Sequence, residues 1–247
     1  MKNLIVANWK MNPNSQKEAK EIFSALGGPA SGWDGSNVEV VICPPFVYVS
    51  ALARLSDEAL SVGGQNVFYE DNGAFTGEIS SAMLKDLGAE YVIIGHSERR
   101  KYFGETDETV NKKIKKALEA GLKIIFCIGE TAEERDAGRK NEVLERQIKI
   151  GLKDVSTNYS LLTTNLSVAY EPVWAIGTGN NCSVEETKES IDFIKKFVKL
   201  ETRILYGGSV KSENSGAYIK EAGANGLLVG GASLNAEEFI KIVKSAE

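Results

Sequence analysis

Lys123-Ile124-Ile125-Phe126-Cys127-Ile128 sets five apolar residues in a row after a single lysine and stops at Gly129-Glu130. A strand with one wet face alternates apolar and polar residues. A run without alternation reads as a strand covered on both faces, as in an all-parallel sheet. Working outward, seven more such runs recur through the chain: Leu4–Ala7, Val38–Cys43, Leu60–Val62, Tyr91–Ile94, Leu166–Tyr170, Arg203–Tyr206 and Gly226–Val229. Amphipathic segments separate them. Glu185–Leu200 sets Ile191, Ile194, Phe197 and Val198 on one helical face, and Thr106–Ala120 does the same with Val110, Ile114, Ala117 and Leu118. Ser15, Thr106, Ser183 and Asn235 read as helix N-caps and Gly121 as a C-cap. Eight β–α units in 247 residues average roughly 31 residues each, the size of one βαβ step. No Pro/Ser linker divides the chain. An open doubly wound sheet also alternates strand and helix, but eight equal units favour a closed α/β barrel, (β/α)8, as a single domain over residues 1–247.

Composition narrows the function. Net charge is −5, with 29 Lys+Arg against 34 Asp+Glu and no basic stripe, which argues against a nucleic-acid partner. No apolar run approaches the roughly 18–20 residues that span a bilayer, so no membrane partner is expected. Cys43, Cys127 and Cys182 are odd in number and widely spaced, which reads as reduced thiols and a cytoplasmic setting. One histidine with no cysteine cluster beside it argues against a metal site.

In a (β/α)8 barrel the active site lies at the C-terminal ends of the strands. Strand 1 ends in Asn8-Trp9-Lys10, strand 4 in Gly95-His96-Ser97-Glu98 and strand 6 in Glu171-Pro172. Strand 7 ends in Gly207-Gly208-Ser209 and strand 8 in Gly230-Gly231. Taken singly, Lys10 reads as a solvated lysine, His96 as a structural histidine and each Gly pair as a tight turn. Their convergence on one rim is the signal. Two Gly pairs after strands 7 and 8 suit a phosphate held by backbone N–H groups, and a carboxylate with a His/Lys pair suits proton abstraction beside a carbonyl. The residues alone do not name the substrate.

Seven motifs stand in order at the strand ends. They are Asn8-Trp9-Lys10-Met11-Asn12, Gly73-Ala74-Phe75-Thr76-Gly77-Glu78, Ile94-Gly95-His96-Ser97-Glu98-Arg99-Arg100, Cys127-Ile128-Gly129-Glu130, Ala169 through Gly179, Tyr206-Gly207-Gly208-Ser209-Val210, and Leu228 through Leu234. In these the chain resembles the triosephosphate isomerase family, from Asn8 to Leu234. The resemblance implies a TIM barrel and interconversion of dihydroxyacetone phosphate with D-glyceraldehyde 3-phosphate, without metal or cofactor. It implies Glu171 as the base, His96 as a neutral electrophile, and Lys10 as the cation beside the developing charge. Asn8 is a polar neighbour, and Glu98 orders Lys10 and His96. The backbone of Gly177, Ser209, Gly230 and Gly231 holds the phosphate, and Val173–Gly179 forms a lid. It also implies a homodimer in which Thr76 approaches the Lys10 and His96 region of a second copy. The chain departs from the family at Asn180-Asn181-Cys182, where a lysine commonly follows Thr-Gly. Helix N-terminal N–H groups, burial and an offsetting Lys10 are expected to keep His96 uncharged.

Two other readings have a discriminating feature. An aldolase barrel needs a Schiff-base lysine within a strand, whereas Lys10 lies just beyond one. A catalytically silent barrel serving as an interaction module is expected to lack Glu171, His96 or Lys10, and all three are present.

Overall fold

The apolar runs owe their lack of alternation to two different apolar environments, one on each side of the same strand. In the computed structural model, Ile125 and Cys127 join Leu4, Val6, Val41, Ile93, Ala169, Leu205 and Leu228 in one buried cluster. Their neighbours Ile124, Phe126 and Ile128 belong to a second cluster shared with the helices. The period of two is intact, but both phases are apolar because one fills the barrel and the other meets the helical layer. The structure describes residues 1–247 except 28–31, 34, 58, 156–164 and 178–179.

The strands are β1 (Asn3–Asn8), β2 (Val38–Cys43), β3 (Leu60–Gly64), β4 (Tyr91–Ile94), β5 (Lys123–Ile128), β6 (Leu166–Tyr170), β7 (Arg203–Tyr206) and β8 (Gly226–Val229). Each pairs in parallel with the next, and β8 returns to β1 with Val6 opposite Leu228, closing the barrel. Six strands have the bounds expected from sequence. β1 gains a residue at each end, and β3 continues through Gly63 and Gly64.

Ser15, Thr106, Ser183 and Asn235 accept the amides of Glu18, Thr109, Glu186 and Glu238, so each starts a helix as expected. Gly121, at φ +74°, follows the cap residue Ala120. Two expectations need correcting. The helix expected over Glu185–Leu200 runs only from Val184 to Ile194, and Leu200 is 95% exposed. Its apolar spacing continues into a turn that packs Phe197 and Val198, where the Lys196 and Phe197 amides bond three residues back, to Phe193 and Ile194, instead of four. The unit after β5 carries two helices, Ala132–Asp136 and Lys140–Gly151, instead of one, whereas after β4 the short helix expected at Ser97 runs to Phe103 and precedes Asp107–Glu119. Among the described residues, no helix is long and apolar enough to cross a membrane.

The N-terminal end of the barrel is shut by charge. Glu39 accepts from Arg203 at 2.7 Å and from the Tyr91 hydroxyl, and Lys123 lies 3.3 Å from both Glu39 and Glu90. Burial alone pushes the Glu39 carboxyl up, but the Tyr91 and Arg203 hydrogen bonds and the two cations together hold it below the usual carboxylate value. A carboxylate lowered in this way contributes stability above its ordinary pKa, and that contribution fades as pH falls through the folded value. Arg203→Met is therefore expected to cost about 2–3 kcal/mol near neutral pH, since Glu39 keeps its charge without its closest cation. In urea unfolding across pH, the deficit relative to wild type shrinks toward acid as Glu39 takes a proton. A deficit independent of pH would contradict this role for Glu39.

Candidate active site

The inward phase of the strands, carried one step past the barrel core, reaches the site. Two residues beyond inward Val6 is Asn8, and two beyond Ala169 is Glu171. Gly207 follows Leu205 and Gly230 follows Leu228 in the same way. These residues line one cavity of about 690 Å³ at the C-terminal mouth. Lys10, His96, Gly177, Ser209 and Gly231 line it as well, so eight of the expected site residues share one space. Glu98 borders a second cavity, about 480 Å³, which Lys10 and His96 also face. Thr76 lies in neither and is exposed on the loop between β3 and the helix Ser81–Asp86.

His96 arrives by a break in the alternation. Gly95 sits at φ +79°, where an added Cβ would lie 3.0 Å from the Cys127 carbonyl oxygen, so the turn requires glycine. A buried clamp fixes the turn. The Gly95 amide donates to Glu105 at 3.1 Å, and Arg100 Nε donates to the Gly95 carbonyl at 2.9 Å. Lys113 pairs with Glu105 and donates to Asn66 at 2.7 Å, and burial keeps its ammonium below the ordinary lysine value despite that partner. The ring then caps the helix Ser97–Phe103, with Nδ1 accepting the Glu98 amide at 3.2 Å.

Glu171 is 2% exposed and doubly held. Its Oε1 lies 3.0 Å from His96 Nε2, and its Oε2 accepts the Ser97 amide at 3.1 Å. The backbone at the β6 exit presses against Gly129, where a Cβ would stand 1.7 Å from the Glu171 carbonyl oxygen. Lys10, at φ +53°, donates its backbone N–H to Asn8 Oδ1 at 3.1 Å and its ammonium to Glu98 at 2.5 Å. Asn8 thus shapes the lysine's turn, and Glu98 holds its side chain.

The state of His96 follows from which nitrogen is free. Burial is the largest influence and pushes the imidazolium down. The Glu171 charge, its hydrogen bond and the Glu98 charge push up, and together they outweigh burial and leave the ring above its ordinary value. This corrects the expected balance: Lys10 is engaged with Glu98 and does not cancel Glu171. Yet Nε2–H of the neutral ring already donates to Glu171, so a second proton must enter at Nδ1. That atom faces the Glu98 amide hydrogen at the positive end of the helix, and protonation would set hydrogen against hydrogen. We hold the direction at Nδ1 to be downward, which leaves the neutral Nε2–H tautomer.

Two supporting residues received no role from the sequence. Gln65 Nε2 donates to the carbonyls of Lys10 and Cys43, both at 2.8 Å, and pins the lysine's backbone. A polar residue directly after Gly63-Gly64 at a strand end was the available signal. Glu130 is wholly buried and accepts Trp174 Nε1 at 2.8 Å and the Tyr170 hydroxyl at 3.2 Å, while burial raises its carboxyl. It anchors the start of the expected lid, whose residues 173–177 are described, whereas Thr178 and Gly179 lie outside the described residues. The Ser209 hydroxyl donates to the Ala175 carbonyl at 2.6 Å. Among the described residues, no three His, Cys, Asp or Glu are grouped to hold a metal ion. A buried carboxylate, an imidazole donor, a lysine cation and two glycine turns around one cavity suit proton transfer next to a carbonyl in an anionic substrate.

Known proteins point the same way. The family model described as triosephosphate isomerase matches residues 3–246. The chain is similar to the triosephosphate isomerase of Chloroherpeton thalassium, 46% identical over 258 residues that cover 100% of this chain and 99% of that protein. Against the Moorella thermoacetica enzyme of the same name, identity is 48% over 248 residues, covering 97% of each. The Aquifex aeolicus enzyme is 45% identical over 257 residues, covering 99% of this chain and 100% of that protein.

Proposed function

The chain belongs to the triosephosphate isomerase family, and from that premise we propose how its site moves the proton. It is an isomerase that interconverts dihydroxyacetone phosphate and D-glyceraldehyde 3-phosphate, a step of glycolysis and gluconeogenesis. Glu171 is the base. It exchanges its hydrogen bonds to Ser97 and His96 for a carbon-bound proton of the substrate, taking that proton from one carbon and returning it to the next through an enediol. His96 Nε2–H, freed from Glu171, donates to the substrate oxygen, and a neutral imidazole suits the weak acidity of an enediol. Lys10, held by Glu98 and by Asn8, stabilises the negative charge that develops. The backbone N–H groups of Gly177, Ser209, Gly230 and Gly231 take the phosphate, helped by the short 3-10 helix that begins at Gly231. The single observation that carries this reading is the 3.0 Å contact between Glu171 Oε1 and His96 Nε2 inside a cavity rimmed by the two glycine turns.

The loop 65–79 supports a homodimer of single-domain subunits. Thr76 and Phe75 are exposed on it. Met11, Phe46 and Phe103, 89%, 42% and 69% exposed, line the cavity beside Lys10 and His96. A second copy's loop fills that cavity and brings Thr76 toward Lys10. Three buried free cysteines suit a reducing, cytoplasmic setting.

A coupled assay measures interconversion of the two triose phosphates directly, and its absence in folded protein would overturn the isomerase reading. Within that assay, Glu171→Asp is expected to lower kcat about 10²-fold with KM nearly unchanged, because the carboxylate retreats by roughly one C–C bond while the phosphate contacts stay. Near wild-type kcat would remove Glu171 from its role. Thr76→Arg places a cation at the tip that meets the partner's Lys10. Sedimentation should shift toward the monomer, with kcat at least about tenfold lower as Lys10 loses its packing. A dimeric, fully active variant would contradict this assignment.

A further inference from the structure

We propose that Tyr218 is a positioning residue for the lid: its hydroxyl holds the backbone where the lid rejoins the barrel and ties that point to the unit carrying Ser209. The inference rests on the isomerase reading above. Tyr218 lies in the helix Ser212–Lys220 and is 2% exposed. Its ring stacks on Tyr206 at the end of β7, with centroids 3.8 Å apart and planes at 22°. Its hydroxyl donates to the carbonyl of Cys182 at 2.7 Å, a fully buried bond between residues 36 apart in sequence.

That carbonyl stands at a defined place. Cys182 immediately precedes Ser183, the N-cap of the helix Val184–Ile194, so the bond falls where the chain leaves the lid and enters regular structure. A buried carbonyl outside a helix or ladder needs a donor, and the cost of leaving it unpaired falls on that conformation. A phenylalanine would fill the same space and stack on Tyr206 equally well. The hydroxyl adds the carbonyl contact and a contact with the neighbouring Tyr206 hydroxyl. On the other side, the Ser209 hydroxyl holds the Ala175 carbonyl at 2.6 Å. One unit, the end of β7 with its helix, therefore holds the chain at Ala175 and again at Cys182. The same unit presents Gly207, Gly208 and Ser209 to the cavity. Phosphate seat and lid anchors thus share one frame, and the bond from Tyr218 keeps the second anchor in register with it. Without the hydroxyl, the return point shifts, and the closed arrangement forms less often over bound enediol phosphate.

The test compares full-length wild type, Tyr218→Phe and Tyr218→Leu in triose phosphate turnover, with methylglyoxal and inorganic phosphate measured alongside product. Tyr218→Phe is expected to lower kcat/KM about tenfold and to raise the share of turnovers that end in methylglyoxal, as an uncovered enediol phosphate eliminates. Tyr218→Leu, which also loses the ring stack, should lower Tm further while showing the same catalytic loss. A wild-type methylglyoxal share in Tyr218→Phe overturns the proposal, whether or not kcat/KM or Tm falls, because a merely structural residue leaves that partition unmoved. Failure of the wild-type arm to isomerise triose phosphates would instead strike the isomerase reading, so the two failures are distinguishable.

Discussion

Everything at the mouth of this barrel depends on where one carboxylate is caught. Glu171 leaves β6 and lodges between His96 Nε2 and the Ser97 amide, at the start of the helix that follows β4. β5 lies between these two strands, so the contact exists only while three adjacent strands keep register. Gly129 at the β5 exit lacks a Cβ and lets the Glu171 backbone pass. Gly95 turns the chain so that His96 faces inward, and the clamp of Glu105, Lys113 and Arg100 holds that turn. The charged floor formed by Glu39 and Arg203 joins β2 to β7 at the opposite end. Glu171 is positioned by the packing of the whole barrel, which is why it is held so firmly.

The same contact sets the resting state of the chemistry. The imidazole proton and the Glu171 carboxylate satisfy each other. In the proposed reaction a substrate carbonyl oxygen takes the imidazole proton and leaves the carboxylate facing a carbon-bound proton, a weaker partner that frees it to act as base. Lys10 contributes from the side through a backbone bent by Asn8 and Gln65, which fixes where its ammonium reaches before any substrate arrives.

Much of this was legible from sequence because barrel strands and caps are local signals. The run at Lys123–Ile128 shows both of its buried faces in its own composition. Ser183 and Thr106 announce helices by side-chain chemistry within four residues. Glu185–Leu200 shows the limit, since apolar spacing persists through the turn after Ile194 and spacing alone does not reveal where the α-helical bonding pattern gives way to a tighter one. Gln65 and Tyr218 were silent for a different reason. Their bonds to Lys10 and Cys182 span 55 and 36 residues, and a side chain that satisfies a distant carbonyl leaves no periodic trace. The charge balance at His96 was misjudged on the same ground: whether Lys10 answers Glu171 or Glu98 is a matter of three-dimensional reach.

The account's central claim is that Nδ1 of His96 is an occupied acceptor, so the ring stays neutral while its other nitrogen works. Because the chain has a single histidine, nitrogen-15 spectra of untagged protein report this ring alone. The account predicts one protonated and one bare ring nitrogen, unchanged from neutral pH to the onset of acid unfolding. A reversible protonation step in the folded protein, near the ordinary histidine value of about 6.5 or above it, would contradict it.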